Sequence, residues 1–349
     1  MGFKRKGEEK KDLKPKPTVE LLSTGIDVLD LAIGGGHGRG TIVNIIGDNS
    51  SGKTLEACET IAKARIHYDD TDWHFDNAEA GFAFDTKAMY GYRMLPEDDH
   101  DRSETVEDFI DNVKTKMRES KEAGRRLVYV LDSLDALTCD AELGRAKDRE
   151  KAKAAGKEYT QGTYNLEKNK LMNEFFRLTT SEIEDSGTVL IIVSQTREKI
   201  GVVFGQKWRV GCEGALKFYA KQRILLKEIG KIKETVKGKE YKVGVMIRAT
   251  VVKNKIAAPY KECEFEILFD YGVDNISSNL DFVFDLKTKE GALKKRVEVQ
   301  FDGSPFTDKS SLIQAVEDRD LESKLLEMVK EKWTGIQDAL SPKRKRKYE

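Results

Sequence analysis

The feature that most constrains this chain is an eight-residue loop between a predicted strand and a predicted helix. Thr41–Ile46 (TIVNII) is a β-branched run of strand length, Thr54–His67 reads as a helix, and Gly47-Asp-Asn-Ser-Ser-Gly-Lys-Thr54 joins them. The loop fits G-x-x-x-x-G-K-[ST] at every fixed position, in the strand–loop–helix context that separates the motif from a chance glycine-rich turn. Gly47 and Gly52 permit backbone conformations that wrap the N–H groups of Asp48, Asn49, Ser50 and Ser51 around a phosphate, and the helix N-terminus adds its dipole. Lys53 is then placed to reach the β and γ phosphates, and the Thr54 hydroxyl to ligate Mg²⁺.

Around this loop the chain alternates in a way that predicts an α/β protein. Phe82–Phe84, Leu127–Leu131 (LVYVL) and Val189–Val193 (VLIIV) are apolar runs, separated by helical stretches over Val106–Lys121 and Asn169–Glu184. Near-continuous apolar strands of this kind indicate a largely parallel central sheet buried on both faces by helices. Ile224–Lys227, Val243–Val252 and Cys263–Phe269 alternate more and predict antiparallel strands at one end of it. A short helix over Gly25–Ala32 is expected to close at Gly34–Gly36. The LVYVL strand runs straight into Asp132, and an aspartate at the carboxyl end of a buried strand beside a phosphate loop suits the magnesium shell.

Composition narrows the class. The 349 residues are 39% hydrophobic and 35% charged, with 61 Lys+Arg against 61 Asp+Glu, so any contact with nucleic acid must come from local patches rather than a basic coat. No apolar run approaches a membrane span. The first residues lack the apolar stretch of a secretory signal. Cys58, Cys139, Cys212 and Cys263 stand far apart, which argues against a disulfide framework or a zinc site and suits a reducing, cytoplasmic setting. The expected organisation is a basic arm (residues 1–20), a core (21–270), a small C-terminal α+β domain (271–338) and a basic tail (339–349) containing Lys343-Arg-Lys-Arg-Lys347.

Five ordered segments resemble the bacterial RecA family. They are Leu22-Ser-Thr-Gly-Ile-Asp-Val-Leu-Asp30 followed by the phosphate loop, Asp132-Ser133-Leu134-Asp-Ala-Leu137, Val193-Ser-Gln195-Thr-Arg-Glu-Lys-Ile-Gly-Val-Val-Phe204-Gly205, Gly214-Ala-Leu-Lys-Phe-Tyr-Ala220, and Val251-Val-Lys-Asn-Lys-Ile-Ala-Ala-Pro-Tyr260. The resemblance is strong from Leu21 to Phe269 and weak in the C-terminal domain. It implies a P-loop NTPase with a RecA-like core: a DNA-stimulated ATPase that uses ATP and Mg²⁺, polymerises into helical filaments on single-stranded DNA and exchanges strands with a homologous duplex.

The same resemblance assigns roles. Glu79, in Phe75-Asp-Asn-Ala-Glu79, becomes the general base for the attacking water, with Asp76 as the competing carboxylate. Asp132 becomes the Walker B residue, and Gln195 the sensor that relays the γ-phosphate into the loop that follows. Lys253 and Lys255, two apart on a strand, would reach the neighbouring subunit's γ-phosphate; the plainer alternative is an exposed edge strand kept soluble by lysines. The second DNA loop, Thr196–Glu213, offers Arg197, Lys199, Lys207 and Arg209 to phosphates and Phe204 and Trp208 to bases. Basic groups interleaved with aromatics suit single-strand binding. The first DNA loop is placed between Thr138 and Leu171, with Tyr159, Tyr164 and Lys168 as candidate contacts. It contains an extra stretch, Gly144–Lys157, with six basic and two acidic residues, readable as a helix over DNA or as a solvated charged helix.

The departures point to a divergent or phage-encoded member. The N-terminal docking helix is largely missing, Cys212-Glu213 stands where a Gly-Gly pair is common, and the C-terminus is basic rather than acidic, suiting DNA contact or, less well, nuclear import. Two other classes compete: a ring-forming RecA-fold helicase or repair motor, and a non-catalytic accessory that binds DNA under nucleotide control.

Overall fold

Alternate residues of three buried strands feed two separate apolar layers, and this arrangement builds the molecule. The computed structural model describes residues 19–95, 101–155, 166–198, 208–286 and 298–344. The chain begins with β1 (Leu21–Leu22), α1 (Asp27–Ile33), β2 (His37–Gly38), which pairs back on β1, and β3 (Thr41–Gly47). The helix after the phosphate loop, α2 (Lys53–His67), leads to β4 (Thr71–Asp76), a short α3 (Thr86–Tyr90) and α4 (Val106–Glu122). Then come β5 (Arg126–Leu131), α5 (Asp140–Ala154), α6 (Leu166–Ser186) and β6 (Val189–Gln195). A small pair, β7 (Arg197–Glu198) with β8 (Trp208–Arg209), precedes α7 (Glu213–Tyr219). The long β9 (Gln222–Val236) and β10 (Lys239–Asn254) are followed by β11 (Glu262–Leu268) and β12 (Gly272–Asp274). Last are α8 (Asn275–Phe284), β13 (Val299–Phe301), β14 (Ser304–Phe306), α9 (Lys309–Asp318) and α10 (Glu322–Leu340).

The main sheet has the order β12-β11-β10-β9-β3-β6-β5-β4. The five strands from β9 to β4 are mutually parallel, and β10, β11 and β12 add antiparallel at the other end. Side chains alternate across a strand. Val43, Ile45, Val128, Val130, Val189, Ile191 and Val193 accordingly pack on the face covered by α1 and α2. Ile42, Leu127, Tyr129, Leu131, Leu190 and Ile192 pack on the face covered by α4, α6 and α7. Both faces are therefore dry, as the apolar runs predict.

Beyond the sheet, Leu280, Leu286, Val299, Phe301, Leu312, Val316 and Leu325 form a third apolar cluster. Val329 of α10 returns to the layer under α1 and α2. Among the described residues, no helix is long and apolar enough to cross a membrane.

Three expectations change. Phe82–Phe84 is not a strand; it is an irregular segment whose Phe82 ring lies 5.0 Å from Phe75, and the strand after α2 is β4. The strands expected at Ile224–Lys227 and Val243–Val252 are far longer, because they run past the sheet as a two-stranded ribbon turned at Lys237 and Gly238. Both turn residues have positive φ, 50° and 76°, as a two-residue hairpin turn matched to strand twist requires. Lys255 falls just outside β10, past a register shift between Val251 and Lys253.

Ile191 lies in the central β6 and is 0% exposed. Truncation to Ala leaves a cavity in a fully buried layer, so Ile191→Ala should lower stability by about 2–5 kcal/mol. Urea unfolding checks this, with the midpoint falling and the slope unchanged; a midpoint equal to wild type would contradict the layer assignment.

Candidate functional site

The loop between β3 and α2 owes its path to its two fixed glycines. A Cβ on Gly47 would meet Ser51 Oγ at 2.2 Å and Leu226 O at 2.6 Å, and Gly52 has φ 83°, in the left-handed region. Inside the loop, Ser51 Oγ donates to Asp48 O (2.8 Å), and so does Lys53 Nζ (2.6 Å). Burial lowers the Lys53 pKa against the opposing pull of Asp132 and Glu79.

Asp132 follows directly on β5. Its carboxylate accepts from the Thr54 hydroxyl at 2.6 Å, and burial pushes its pKa up to about 6. Hydroxyl and carboxylate thus present two hard oxygens side by side, a donor set that fits Mg²⁺. Glu79 comes to the same place from the segment after β4. Its backbone N–H donates to Asp132 O (3.0 Å), and its carboxylate accepts from Ser133 Oγ (2.7 Å). Ser50, Ser51, Gly52, Lys53, Thr54, Asn77, Glu79 and Asp132 line one cleft of about 240 Å³, with Phe82 and Phe84 at its side.

Asp76 does not share that cleft. It is 0% exposed and accepts from Ser103 N (2.9 Å), Ser103 Oγ (2.5 Å) and Tyr129 Oη (2.7 Å). It is a structural acceptor at the end of β4.

Gln195 ends β6 opposite Gly47 of β3. Its side-chain amide donates to Asn49 Oδ1, and the next hydroxyl, Thr196 Oγ1, donates to Asp48 Oδ1. The strand end is therefore fastened to the phosphate loop. Arg197 follows in β7 opposite Arg209 of β8, and Glu198 lies opposite Trp208. Arg197, Arg209, Lys168, Asp135 and Glu213 border a second cleft of about 580 Å³. Lys199, Phe204 and Lys207 lie outside the described residues, as do Tyr159 and Tyr164.

Lys168 is not available to DNA. Its amine is buried and donates to Leu134 O and Leu137 O, both at 2.6 Å. The extra basic stretch is helical through α5, which buries no residue, and Arg145 pairs with Glu167 at 3.0 Å.

Lys253 and Lys255 do not line the nucleotide cleft. Lys253 Nζ donates to the last carbonyls of α7, reaching Phe218 O at 3.1 Å. Burial, then the neighbouring charges of Lys255 and Arg223, pulls its pKa down to about 8. Phe218 beside it is 72% exposed.

Sequence reasoning missed Ser133 and Asp135, which brace this site. The signal was present as Asp132-Ser-Leu-Asp135, but only the fold shows that the turn after β5 carries these side chains to Glu79 and Gln195.

A phosphate loop and a strand-end aspartate on a mostly parallel sheet define a P-loop nucleotide-binding protein. The pattern of the RecA N-terminal domain matches residues 8–274. The chain is 34% identical over 285 residues to "Protein RecA" of Rhizobium leguminosarum bv. viciae, covering 79% of this chain and 71% of that protein. It is 32% identical over 288 residues to "Protein RecA" of Corynebacterium efficiens (80% and 66%), and 34% identical over 282 residues to "Protein RecA" of Parvibaculum lavamentivorans (79% and 68%). The chain belongs to the RecA family, and it spans 66% to 71% of the length of these relatives.

The two acids of this segment should separate by phenotype. Asp76→Ala strands buried donors on Ser103 and Tyr129 and should cost about 2 kcal/mol or more. Glu79→Gln, at an exposed position, should stay within about 0.5 kcal/mol of wild type. Urea unfolding of both variants checks this; equal stabilities would mean that Asp76 is not the structural acid.

Proposed function

We propose that this protein is an ATP-dependent DNA recombinase that assembles as helical filaments on single-stranded DNA and promotes pairing and strand exchange with a homologous duplex. The observation that carries the proposal is the join at Gln195. One residue touches the phosphate loop through Asn49 and opens the segment containing Arg197, Trp208 and Arg209. A ligand that moves Gln195 moves the DNA-facing residues with it.

In this reading the loop N–H groups and Lys53 would hold the triphosphate, and Thr54 and Asp132 would hold Mg²⁺, which would supply neutralisation of the phosphate charge. Glu79 orients a water toward the γ-phosphorus and takes its proton as the new P–O bond forms. The bond to the β-phosphate oxygen breaks, leaving ADP and phosphate. Arg197, Arg209 and the loop lysines Lys199 and Lys207 meet DNA phosphates, while Trp208 and Phe204 offer apolar faces to bases. Lys253 and Lys255 stand away from their own cleft, Lys253 beside the exposed Phe218, which suits a clamp on the next subunit's nucleotide. Hydrolysis then depends on assembly, as with other positive groups supplied in trans.

Glu79→Gln should bind nucleotide and assemble while turnover with saturating single-stranded DNA falls by about 10²-fold or more. Phosphate release measures this, and wild-type turnover would remove Glu79 from the chemistry. The shared site has its own test. Lys53→Ala and Lys253→Ala protomers should each be inactive alone, and a mixture should recover part of the activity, since some interfaces pair an intact Lys53 with an intact Lys253. Zero recovery at every ratio, with mixed filaments shown to form, would place Lys253 in its own subunit's site or in none.

A further inference from the structure

We infer that Asp135 is a positioning residue that couples the nucleotide cleft to the DNA-facing segment, holding Gln195 and Arg197 against the Walker B turn; this rests on the nucleotide-gated DNA binding proposed above. Asp135 sits three residues past Asp132, and its side chain is only 6% exposed. One carboxylate oxygen accepts from Gln195 N at 2.8 Å, and the other faces the Arg197 guanidinium at 3.5 Å. The far end of the same loop also passes here: a Cβ on Gly211 would lie 3.0 Å from Asp135 Oδ1. The turn carrying Asp135 is itself gripped by Lys168 of α6, whose amine binds the carbonyls on either side of it, Leu134 O and Leu137 O. Across the strand end, Asn49 and Asp48 of the phosphate loop hold Gln195 and Thr196.

Residues 195–197 are thus held from two sides. The phosphate loop takes the side chains of Gln195 and Thr196, and Asp135 takes the Gln195 backbone N–H and the Arg197 charge. Hydrogen bonds to an ionised acceptor are roughly twice as strong as neutral ones. A carboxylate this enclosed is costly to leave without partners. When Gln195 shifts, Asp135 must therefore travel with it or release Arg197. Either response makes the aim of Arg197 depend on the phosphate loop, which is the differential contact that coupling between two sites requires.

The test uses the full chain and a fluorescent oligo-dT strand. Its affinity is measured by anisotropy with a non-hydrolysable ATP analogue and with ADP, and nucleotide affinity is measured without DNA. Wild type should bind the strand at least about 10-fold more tightly with the analogue, within the usual range of coupling factors. In Asp135→Ala that ratio should fall below about 3-fold while nucleotide affinity without DNA is retained. Asp135→Asn keeps an acceptor for Gln195 N but loses the charge facing Arg197, and should give an intermediate ratio, less than half the wild-type one. A merely structural role would lower both DNA affinities together and leave their ratio intact. A ratio within twofold of wild type in both variants would overturn the inference, and if Asp135→Ala does not fold, Asp135→Asn decides alone. Wild type that binds DNA equally with either nucleotide would overturn the proposed function, and this inference with it.

Discussion

Parallel pairing of β3, β6 and β5 is the constraint on which the site depends. Hydrogen bonding sets Gly47 of β3 opposite Gln195 of β6, and Ile192 of β6 opposite Leu131, the last residue of β5. The phosphate loop, the Gln195 amide and Asp132 therefore emerge at one edge of one sheet, where open α/β sheets bind their ligands. Slipping any of these strands by one residue would send its alternating side chains to the wrong apolar layer. The same burial that stabilises the sheet thus also aligns the chemistry.

Environment, rather than residue type, divides the labour among the acids at this edge. Asp76 is sealed against Ser103 and Tyr129 and has three donors to satisfy it. Asp132, mostly buried, faces the Thr54 hydroxyl across the cleft. Glu79 is exposed and steadied by Ser133. Asp135, three residues beyond Asp132, is not in the lining of that cleft and meets Gln195 and Arg197 instead. These four carboxylates lie within sixty residues of chain, yet only two of them line the nucleotide cleft.

Much of this was legible in the sequence wherever a residue's role follows from its immediate neighbours. The phosphate loop, the buried strands and Asp132 belong to that group, because glycine geometry and two-sided burial leave local patterns. Legibility failed where long-range placement decides. β4 reads TDWHFD, too polar to resemble its buried neighbours, because it is the edge strand; the more apolar Phe82–Phe84 drew the assignment instead. The ribbon at the ends of β9 and β10 is mostly exposed, so its strands lack apolar alternation, and its Lys-Gly turn is not among the strong hairpin dipeptides. Lys168 reads as a candidate DNA contact, and only the packing of α6 shows its amine spent on two backbone carbonyls.

In the proposed function, nucleotide held at this sheet edge switches the chain into a filament on single-stranded DNA. Electron microscopy of the full chain with long single-stranded DNA tests it most directly, comparing a non-hydrolysable ATP analogue with ADP. Regular helical filaments are expected with the analogue, and sparse or irregular coverage with ADP. Closed rings, or DNA coverage that is the same with either nucleotide, would contradict it.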